Sequence, residues 1–479
     1  MTLRTFPIAL DGAAREPLFL QVVRAITADI RRGRLKPGDV LPGSRTLAQT
    51  LGIHRNTVLA AYRELEAEGW IEAGARTTRV AWDLPTAPQA RRPSDLGGLG
   101  FDLPEPPDLG HPFRLPGPGL LDLAGGLPDT RLVPVDLLSR ALRRALLSRP
   151  SVLGYGETMG EPRLREALAR LLAQVRGLAY PADRILVTNG SQMALDLVIR
   201  ALIRPGDRVA VENPGYPPAW RMFQAAGAVC LPVPVDGGGL MIDPLERHLS
   251  AGPVRAVYLT PHHQFPTTVP LTAARRLRLQ ELARRHRIAL LEDDYDFEFH
   301  FEGRPLLPMA SNDPSGAVIY LGTLSKVLAP ALRLGFLAGP RPLVEALAAQ
   351  RSLVDRHGNR VVERAVAELI EDDLLQRHAR KVRRIYAGRR AILADLLERH
   401  LGSELAFRPA HGGLSYWCAT APGIDAAGWA ARALERGVRV QAGQDFDLDG
   451  SNLPRLRIGF SALDERELAD AVRRLQRAL

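Results

Sequence analysis

The spacing of hydrophobic side chains over residues 1–80 predicts three short helices followed by a hairpin. Apolar residues recur with a helical period in three segments, at 18–35, 45–50 and 56–66. Gly33 and Pro37 end the first helix, and Ser44 is expected to be the N-cap of the second. Two strand-like runs follow around a turn, at 69–74 and 77–80. This order of elements predicts a winged helix-turn-helix.

From about Leu120 the pattern changes to short apolar runs that alternate with helical segments. Six runs read as strands, at 185–187, 208–211, 256–259, 288–291, 318–321 and 336–338. Such alternation builds an α/β fold with a mostly parallel sheet covered by helices. In these sheets, binding and catalytic residues gather at the carboxyl ends of the strands.

A third type of sequence separates these two regions. Residues 84–118 contain nine prolines and several glycines, with little apolar periodicity. This composition predicts a semi-extended linker. The expected domains are therefore 1–83, a linker over 84–118, and 119–479.

The charge balance indicates the kind of partner. The net charge is +10 and the isoelectric point is about 10.1, which favours an acidic partner such as nucleic acid, although an arginine-rich composition also raises both values. Two cysteines provide no disulfide framework and fit a reducing compartment. The N-terminus lacks a signal-peptide core, and no apolar run reaches membrane-spanning length. We expect a cytoplasmic protein without a membrane partner.

The N-terminal region resembles the GntR-type DNA-binding domain. Three motifs carry the resemblance: Pro-Gly-Ser-Arg-Thr-Leu-Ala at 42–48, Leu-Gly-Ile-His-Arg-Asn-Thr-Val at 51–58, and Tyr-Arg-Glu-Leu-Glu-Ala-Glu-Gly at 62–69. In such domains the start of the third helix enters the major groove of double-stranded DNA. The resemblance implies DNA contacts from Arg45, His54, Arg55, Asn56, Thr57 and, in the wing, Arg76. The alternative is that Arg45 and Arg55 are solvated surface charges.

One lysine stands out in the C-terminal region. Only three of the 63 basic residues are lysines, which are Lys36, Lys326 and Lys381. Lys326 follows a predicted strand and lies in Gly-Thr-Leu-Ser-Lys, among small and hydroxyl residues. Lysine can lose its proton and attack a carbonyl, whereas arginine stays protonated. A surface lysine on a turn is the alternative interpretation.

The other predicted strands also end in polar motifs. They are Thr-Asn-Gly-Ser-Gln at 188–192, Glu-Asn-Pro-Gly-Tyr at 212–216, Thr-Pro-His-His-Gln-Phe-Pro at 260–266 and Glu-Asp-Asp-Tyr-Asp at 292–296. In this order they resemble the fold-type I pyridoxal-phosphate (PLP) aminotransferases, and the likeness spans nearly all of 120–479. The resemblance implies PLP as cofactor and a small α+β subdomain over about 371–479.

The resemblance assigns a role to individual residues. Lys326 would be the Schiff-base lysine and the catalytic residue, Asp293 the partner of the ring nitrogen, and Tyr295 the partner of the ring hydroxyl. Tyr216 would cover the ring, although it could simply belong to the core. The phosphate would be held by donors from Gly190, Ser191, Gln192, Thr323, Ser325 and Arg333.

Two further roles concern a neighbouring subunit and an effector. Tyr155 matches a tyrosine that reaches the phosphate of a partner subunit, and Arg457 matches the arginine that holds an α-carboxylate. No metal is expected. Asp293, Asp294 and Asp296 could also be solvated or metal-binding acids, but a metal site would leave Lys326 and Ser191 unexplained.

The motifs depart from the aminotransferase pattern at two positions. The usual Asn-Pro-Thr-Gly reads Phe-Pro-Thr-Thr at 265–268, so His263 or Gln264 is the candidate replacement for the missing asparagine. Pro218 stands where some GABA-responsive relatives have a ligand-binding arginine, which argues against a GABA-type effector.

Together, the two regions resemble the MocR/GabR family of regulators. This resemblance implies a head-to-tail homodimer whose aminotransferase-like domain senses PLP or an amino compound and thereby changes DNA binding. An active aminotransferase with an autoregulatory DNA-binding domain is one alternative. A DNA-binding protein whose C-terminal domain has lost the cofactor is the other.

Overall fold

The computed structural model describes residues 8–14, 16–74, 77–84, 102, 117, 119–148, 150–303 and 306–479. The chain separates into two compact units, Met1–Pro106 and Pro107–Leu479, here called the head and the body. The predicted linker therefore lies mostly outside the described residues. Within the described ranges, no helix is long and apolar enough to cross a membrane.

The head contains the predicted three helices and hairpin. Its helices are α1 (Leu18–Arg31), α2 (Ser44–Leu51) and α3 (Arg55–Ala67). Its strands are β1 (Val40–Leu41), β2 (Ile71–Ala73) and β3 (Thr78–Val80), and β3 pairs antiparallel with both of the others. Val22, Ile26, Val58 and Leu65 are almost completely buried between the helices. This is the winged helix-turn-helix that the hydrophobic pattern predicts.

Three helix boundaries in the head differ from the prediction. Helix α1 ends at Arg31 rather than at residue 35, because Gly33 adopts a left-handed φ of 68° that stops the helix. Ser44 is not an N-cap: α2 begins at Ser44 itself, and Gly43 precedes it without a side-chain cap. Helix α3 starts one residue early, and the Nδ1 of His54 accepts the Asn56 N–H at 3.2 Å as its N-cap.

The body alternates helices and strands. Its helices are α4 (Val135–Ser148), α5 (Pro162–Arg176), α6 (Ser191–Leu202), α7 (Pro217–Ala225), α8 (Ile242–Ser250), α9 (Ala273–His286), α10 (Arg341–Val354), α11 (Arg360–Glu371), α12 (Leu374–Leu401), α13 (Ala426–Glu435) and α14 (Glu465–Arg477). Its strands are β4 (Leu121–Asp122), β5 (Ile185–Thr188), β6 (Arg208–Asn213), β7 (Val229–Asp236), β8 (Gly239–Leu240), β9 (Ala256–Leu259), β10 (Ala289–Asp294), β11 (Val318–Thr323), β12 (Gly335–Ala338), β13 (Leu405–Ala406), β14 (Ser415–Thr420), β15 (Val438–Arg439), β16 (Gln441–Ala442) and β17 (Arg455–Gly459).

The large sheet of the body confirms the mostly parallel prediction. Its described strands run in the order β5-β12-β11-β10-β9-β6-β7-β8, with β12 and the short β8 antiparallel to their neighbours. The carboxyl ends of β5, β6, β9, β10 and β11 therefore meet at one edge. The sequence pattern missed β7 and β8. It also ended β10 at residue 291, whereas the strand continues through Asp294.

A second sheet, β13-β14-β17-β16, packs with α12, α13 and α14 around a separate core. This core gathers residues from Val382 to Ala478 together with Leu123 and Phe299. Trp429 on α13 is completely buried there, and its Nε1–H donates to the Leu475 carbonyl at 2.9 Å.

Replacing Trp429 should therefore destabilise the body strongly. We expect Trp429→Ala to lower the free energy of unfolding by about 3–5 kcal/mol, because it leaves a large cavity. Leu434→Ala on the same helix is the matched control, since Leu434 is 51% exposed. It should change stability by less than about 0.5 kcal/mol. Urea unfolding measures both variants, and similar losses would show that the core is not centred on α13.

Candidate functional site

Lys326 lies just beyond β11, at the edge where the carboxyl ends of the strands meet. It is partly buried, and within the described chain no residue forms an ion pair or a hydrogen bond with its ammonium. Burial lowers the pKa of Lys326 to about 8, and the nearby positive charge of Arg457 adds to this effect. The carboxylates of Asp296 and Asp293 oppose it. A neutral amine is therefore accessible near neutral pH, as nucleophilic attack requires.

Asp293, at the end of β10, has one oxygen in use and one without a partner. Its Oδ2 accepts the Tyr258 hydroxyl at 2.6 Å, whereas its Oδ1 is buried and unpaired. Burial raises the pKa of Asp293 to about 6, against the opposing hydrogen bond from Tyr258. A buried acceptor without a donor is costly, and a cationic or N–H group of a ligand would satisfy Oδ1.

The next residue on β10 faces a different environment. Asp294 accepts the Tyr320 hydroxyl and lies 3.6 Å from Arg176, which is itself fully buried and paired with Glu298. Asp296 instead pairs with His263 at 2.7 Å. No group of three or more metal-ligating side chains occurs in the part of the chain that the structure describes.

An anion-binding arrangement surrounds the start of α6. Gly190 has a φ of 91°, and a Cβ there would lie 3.0 Å from the Arg333 guanidinium. Arg333 in turn donates to the Asn189 carbonyl at 2.9 Å. Ser191 begins α6, so free backbone N–H groups point outward beside this guanidinium. The space that a side chain at 190 would fill thus suits a phosphate.

Hydroxyl and amide groups complete this part of the site. The Thr323 and Ser325 hydroxyls are 3.0 Å apart, and Thr323 Oγ1 also accepts the Ser325 N–H at 3.1 Å. Burial raises the pKa of Tyr216 to about 12, partly offset by a hydrogen bond with Gln192. The negative charge of Asp293 also raises the pKa of Tyr216, and the positive charges of Arg457 and Arg333 lower it. These predicted residues therefore lie in one region.

Arg457, on β17, reaches this region from the second sheet. It is 2% exposed, and its guanidinium carbon lies 4.2 Å from the centre of the Phe265 ring. Its Nη1 donates to the Ala124 carbonyl at 3.2 Å, and its Nε is buried without a partner. A carboxylate of a ligand would satisfy this donor.

The structure gives the remaining aromatic and loop residues other partners. The Tyr295 hydroxyl donates to the His263 carbonyl at 2.9 Å. The Gln264 amide donates to the Pro214 carbonyl at 2.8 Å, and its Oε1 accepts the Thr267 hydroxyl at 2.6 Å. The proposed replacement of asparagine by His263 or Gln264 therefore stays a prediction. Tyr155 lies apart at the surface, 81% exposed, beside His357.

Sequence reasoning missed residues that support the site. Tyr258 reads as an ordinary core residue of β9, yet its hydroxyl holds Asp293. Gly125 and Gly126 leave space for Arg457, because a Cβ at these positions would lie 2.8 Å and 3.3 Å from its guanidinium. Two consecutive glycines after a short strand were the available sign of a close approach.

The predicted DNA-contacting residues of the head are mostly exposed. Arg45, His54, Arg55 and Asn56 are exposed and Thr57 is half-buried. The Nε–H of Arg55 donates to the Ser44 hydroxyl at 3.3 Å, which links the starts of α2 and α3. Arg76 lies outside the described residues.

Comparison with known proteins matches both units. Residues 119–475 match the family model of aminotransferase class I and II, and residues 18–78 match that of bacterial regulatory proteins, gntR family. The probable rhizopine catabolism regulatory protein MocR of Rhizobium meliloti is 32% identical, over 98% of this chain and 95% of its own. The HTH-type pyridoxine biosynthesis transcriptional regulator PdxR of Corynebacterium glutamicum is 32% identical, over 86% and 85%.

A solved structure extends the comparison to the body. The α-aminoadipate aminotransferase LysN of Thermus thermophilus, complexed with N-(5'-phosphopyridoxyl)-L-leucine, is 31% identical with a TM-score of 0.71. The match covers 76% of this chain and 92% of that structure.

Proposed function

Because this chain belongs to the MocR-type transcriptional regulators, with a GntR-family DNA-binding domain and an aminotransferase class I and II domain, we propose that its body binds PLP and senses PLP or an amino compound. The domain boundaries proposed are 1–83, 84–118 and 119–479, with a small subdomain from about 371. A regulator acts where the DNA is, so we also propose a cytoplasmic location.

The residues present fit PLP. When bound, this cofactor supplies an aldehyde for a lysine amine and a ring that withdraws electrons. Lys326 would hold the aldehyde carbon, Asp293 the ring nitrogen, and Tyr216 and Tyr295 the ring. The phosphate would be held by donors from Gly190, Ser191, Gln192, Thr323, Ser325 and Arg333.

The observation that carries this proposal is the buried, unpartnered Oδ1 of Asp293. The charge of Asp293 also acts on Lys326, so a carboxylate oxygen without a donor and an amine with a lowered pKa occur together. A protonated ring nitrogen would satisfy the first group, and an aldehyde would react with the second. The unpaired Nε of Arg457 would then receive the carboxylate of an amino-acid effector.

Sensing requires that the ligand bind two arrangements of the protein unequally. We propose that ligand binding closes the small subdomain and changes which spaced DNA half-sites the protein binds. A gel-shift assay on the promoter of the protein's own gene, with PLP and a panel of amines, tests this. A ligand-dependent change in affinity supports the proposal, and unchanged affinity with every ligand contradicts it.

Arg55 should be a main determinant of DNA affinity. It is exposed at the start of α3, where its guanidinium would reach the phosphate backbone of DNA or the edge of a base. We expect Arg55→Ala to weaken binding to the promoter fragment by about 1–3 kcal/mol, roughly 5- to 150-fold. Arg63→Ala, exposed farther along the same helix, is the matched control. Equal binding by the Arg55 variant and the unmodified protein would exclude this placement of α3.

We further propose a head-to-tail homodimer. Tyr155, which would reach the phosphate in the partner subunit, is one of several large exposed side chains on neighbouring elements. Leu153 is 68% exposed and Leu353 is 83% exposed, so a second copy would bury apolar surface that otherwise contacts water.

The second candidate function is an active aminotransferase with an autoregulatory head. The set of Lys326, Asp293 and Arg457 favours it, because these groups also serve transamination. Steady-state assays with an amino donor and a keto acid decide between the two. Sustained turnover would contradict a sensor-only role, whereas absence of turnover with retained PLP would support it.

A further inference from the structure

The first half of α12 has an unusual charge pattern. Residues 374–390 contain seven arginine and lysine residues and no aspartate or glutamate. Two of the seven form ion pairs within the body: Arg389 pairs with Asp129, and Arg390 pairs with Glu302. The other five, which we call the α12 basic face, are exposed: Arg377, Arg380, Lys381, Arg383 and Arg384.

Acidic partners for this face are scarce. Arg377 and Arg380 share the single carboxylate of Asp373, at 3.9 Å and 3.2 Å. Lys381, Arg383 and Arg384 form no ion pair with any described acidic side chain. At 100° per residue, the five side chains fall within an arc of about 160° on one side of the helix.

This pattern does not simply follow from an arginine-rich composition. On α9, which is also rich in arginine, Arg275 pairs with Asp236 at 2.6 Å and Arg284 pairs with Glu281 at 3.3 Å. On α12, basic residues three and four positions apart repel each other, and they lie toward the positive end of the helix dipole. The body thus keeps an arrangement that destabilises its own helix, which a polyanion would relieve.

A glycine on the same side permits close approach. Gly388 follows Arg384 by one turn in the interior of α12, where glycine disfavours a helix. A Cβ at Gly388 would meet nothing within 4 Å, so no described residue of this chain requires the glycine. A surface without a side chain next to a row of cations suits a partner whose phosphates lie close to the helix.

We propose that the α12 basic face binds the phosphate backbone of double-stranded DNA, independently of base sequence. DNA is the polyanion that the head already binds, so it is present at high local concentration whenever the regulator acts. The regulator would then contact DNA through both units, with α3 reading sequence and α12 adding electrostatic affinity. This proposal rests on DNA binding by the head and does not depend on PLP.

The test compares two charge-matched variants of the full-length protein. Lys381→Gln/Arg384→Gln removes two charges from the α12 basic face. Arg399→Gln/Arg473→Gln removes two exposed charges outside this face: Arg399, in the last turn of α12, pairs with Asp395, and Arg473, on α14, pairs with Asp470. Binding is measured by fluorescence anisotropy over a series of salt concentrations, on a promoter duplex and on a random-sequence duplex of equal length.

We expect the α12 variant to bind both duplexes about tenfold more weakly at low salt, with a salt slope reduced by roughly two. The control variant should match the unmodified protein. The Arg55→Ala variant should instead lose the preference for the promoter duplex. An α12 variant with unchanged affinity and salt slope overturns the proposal.

Two other outcomes would also overturn it. If the α12 variant changes the oligomeric state in sedimentation experiments, the face is an interface between copies of this chain. If it changes binding to vesicles of anionic phospholipid but not to DNA, the face recognises membranes. A visible PLP absorbance band in the α12 variant verifies that the body is folded. Absence of that band from the unmodified protein would refute the proposed cofactor and leave the DNA result unaffected.

Discussion

Replacing Lys326 by alanine should abolish the visible absorbance band of lysine-bound PLP and, with it, any effect of PLP or amines on DNA affinity. Lys326 is the lysine at the carboxyl edge of the sheet, and its pKa near 8 makes the neutral amine available. Lys326→Arg should fail as completely, because arginine keeps a positive charge but cannot lose its proton. Absorbance spectroscopy after dialysis measures the band, and gel-shift titration measures the response.

Lys36→Ala is the matched control, since Lys36 is an exposed lysine in the head. It should keep both the band and the ligand response. If Lys326→Ala retained the band while Lys36→Ala lost it, the proposed position of the cofactor would be wrong. If Lys326→Arg retained the ligand response without the band, sensing would depend on charge rather than on a covalent bond.

Neutralising Asp293 should stabilise the PLP-free protein at neutral pH and destabilise the protein when PLP is added. The pKa of Asp293 is raised in the folded state to about 6. The stability associated with its protonated form is therefore complete at low pH and lost as pH rises through 6. Above that pH, Asp293→Asn should be more stable than the unmodified protein by about 3 kcal/mol, and near pH 4 the two should be equal.

Adding PLP should reverse this order, because the ring nitrogen would pair with the carboxylate of Asp293 but not with an amide. Asp294→Asn is the matched control: burial raises the pKa of Asp294 as well, but this carboxylate accepts the Tyr320 hydroxyl and lies 3.6 Å from Arg176. The stability change that it causes should therefore be the same with and without PLP. Thermal unfolding between pH 4 and 8, with and without PLP, measures these differences. The same stability change with and without PLP in Asp293→Asn would assign Asp293 a purely structural role.

The hydrophobic pattern was sufficient for the architecture of both units, because the period of apolar residues reports which face of an element is buried. It was weaker at element ends. Helix α1 was predicted to run to residue 35, but the left-handed Gly33 acts locally and stops it earlier. Strand β10 was ended at residue 291 because aspartates rarely occur inside strands. Asp293 and Asp294 nevertheless continue the strand, because the hydroxyls of Tyr258 and Tyr320, on other strands, donate hydrogen bonds to their carboxylates.

The candidate site was predictable only in part, because its contacts join residues that lie far apart in the sequence. Motif order shows which residues follow which strand, and parallel strands bring their carboxyl ends together. It does not show register. Tyr258 lies opposite Leu291, which brings its hydroxyl to Asp293 two residues farther along. Contacts such as that of Arg457 with Ala124 join residues 333 positions apart, and no local pattern indicates them.

The distribution of the three lysines has a practical consequence for chemical footprinting. Side-chain amines that react with acylating reagents occur once in the head, once at the candidate cofactor site and once on α12, at Lys36, Lys326 and Lys381. Mass spectrometry of acylated peptides can therefore follow three parts of the molecule in one sample, without any engineered label. PLP would shield only Lys326, and DNA lying on α12 would shield Lys381. Because lysine is so scarce, the unmodified chain already carries a single reactive reporter in each of these three parts.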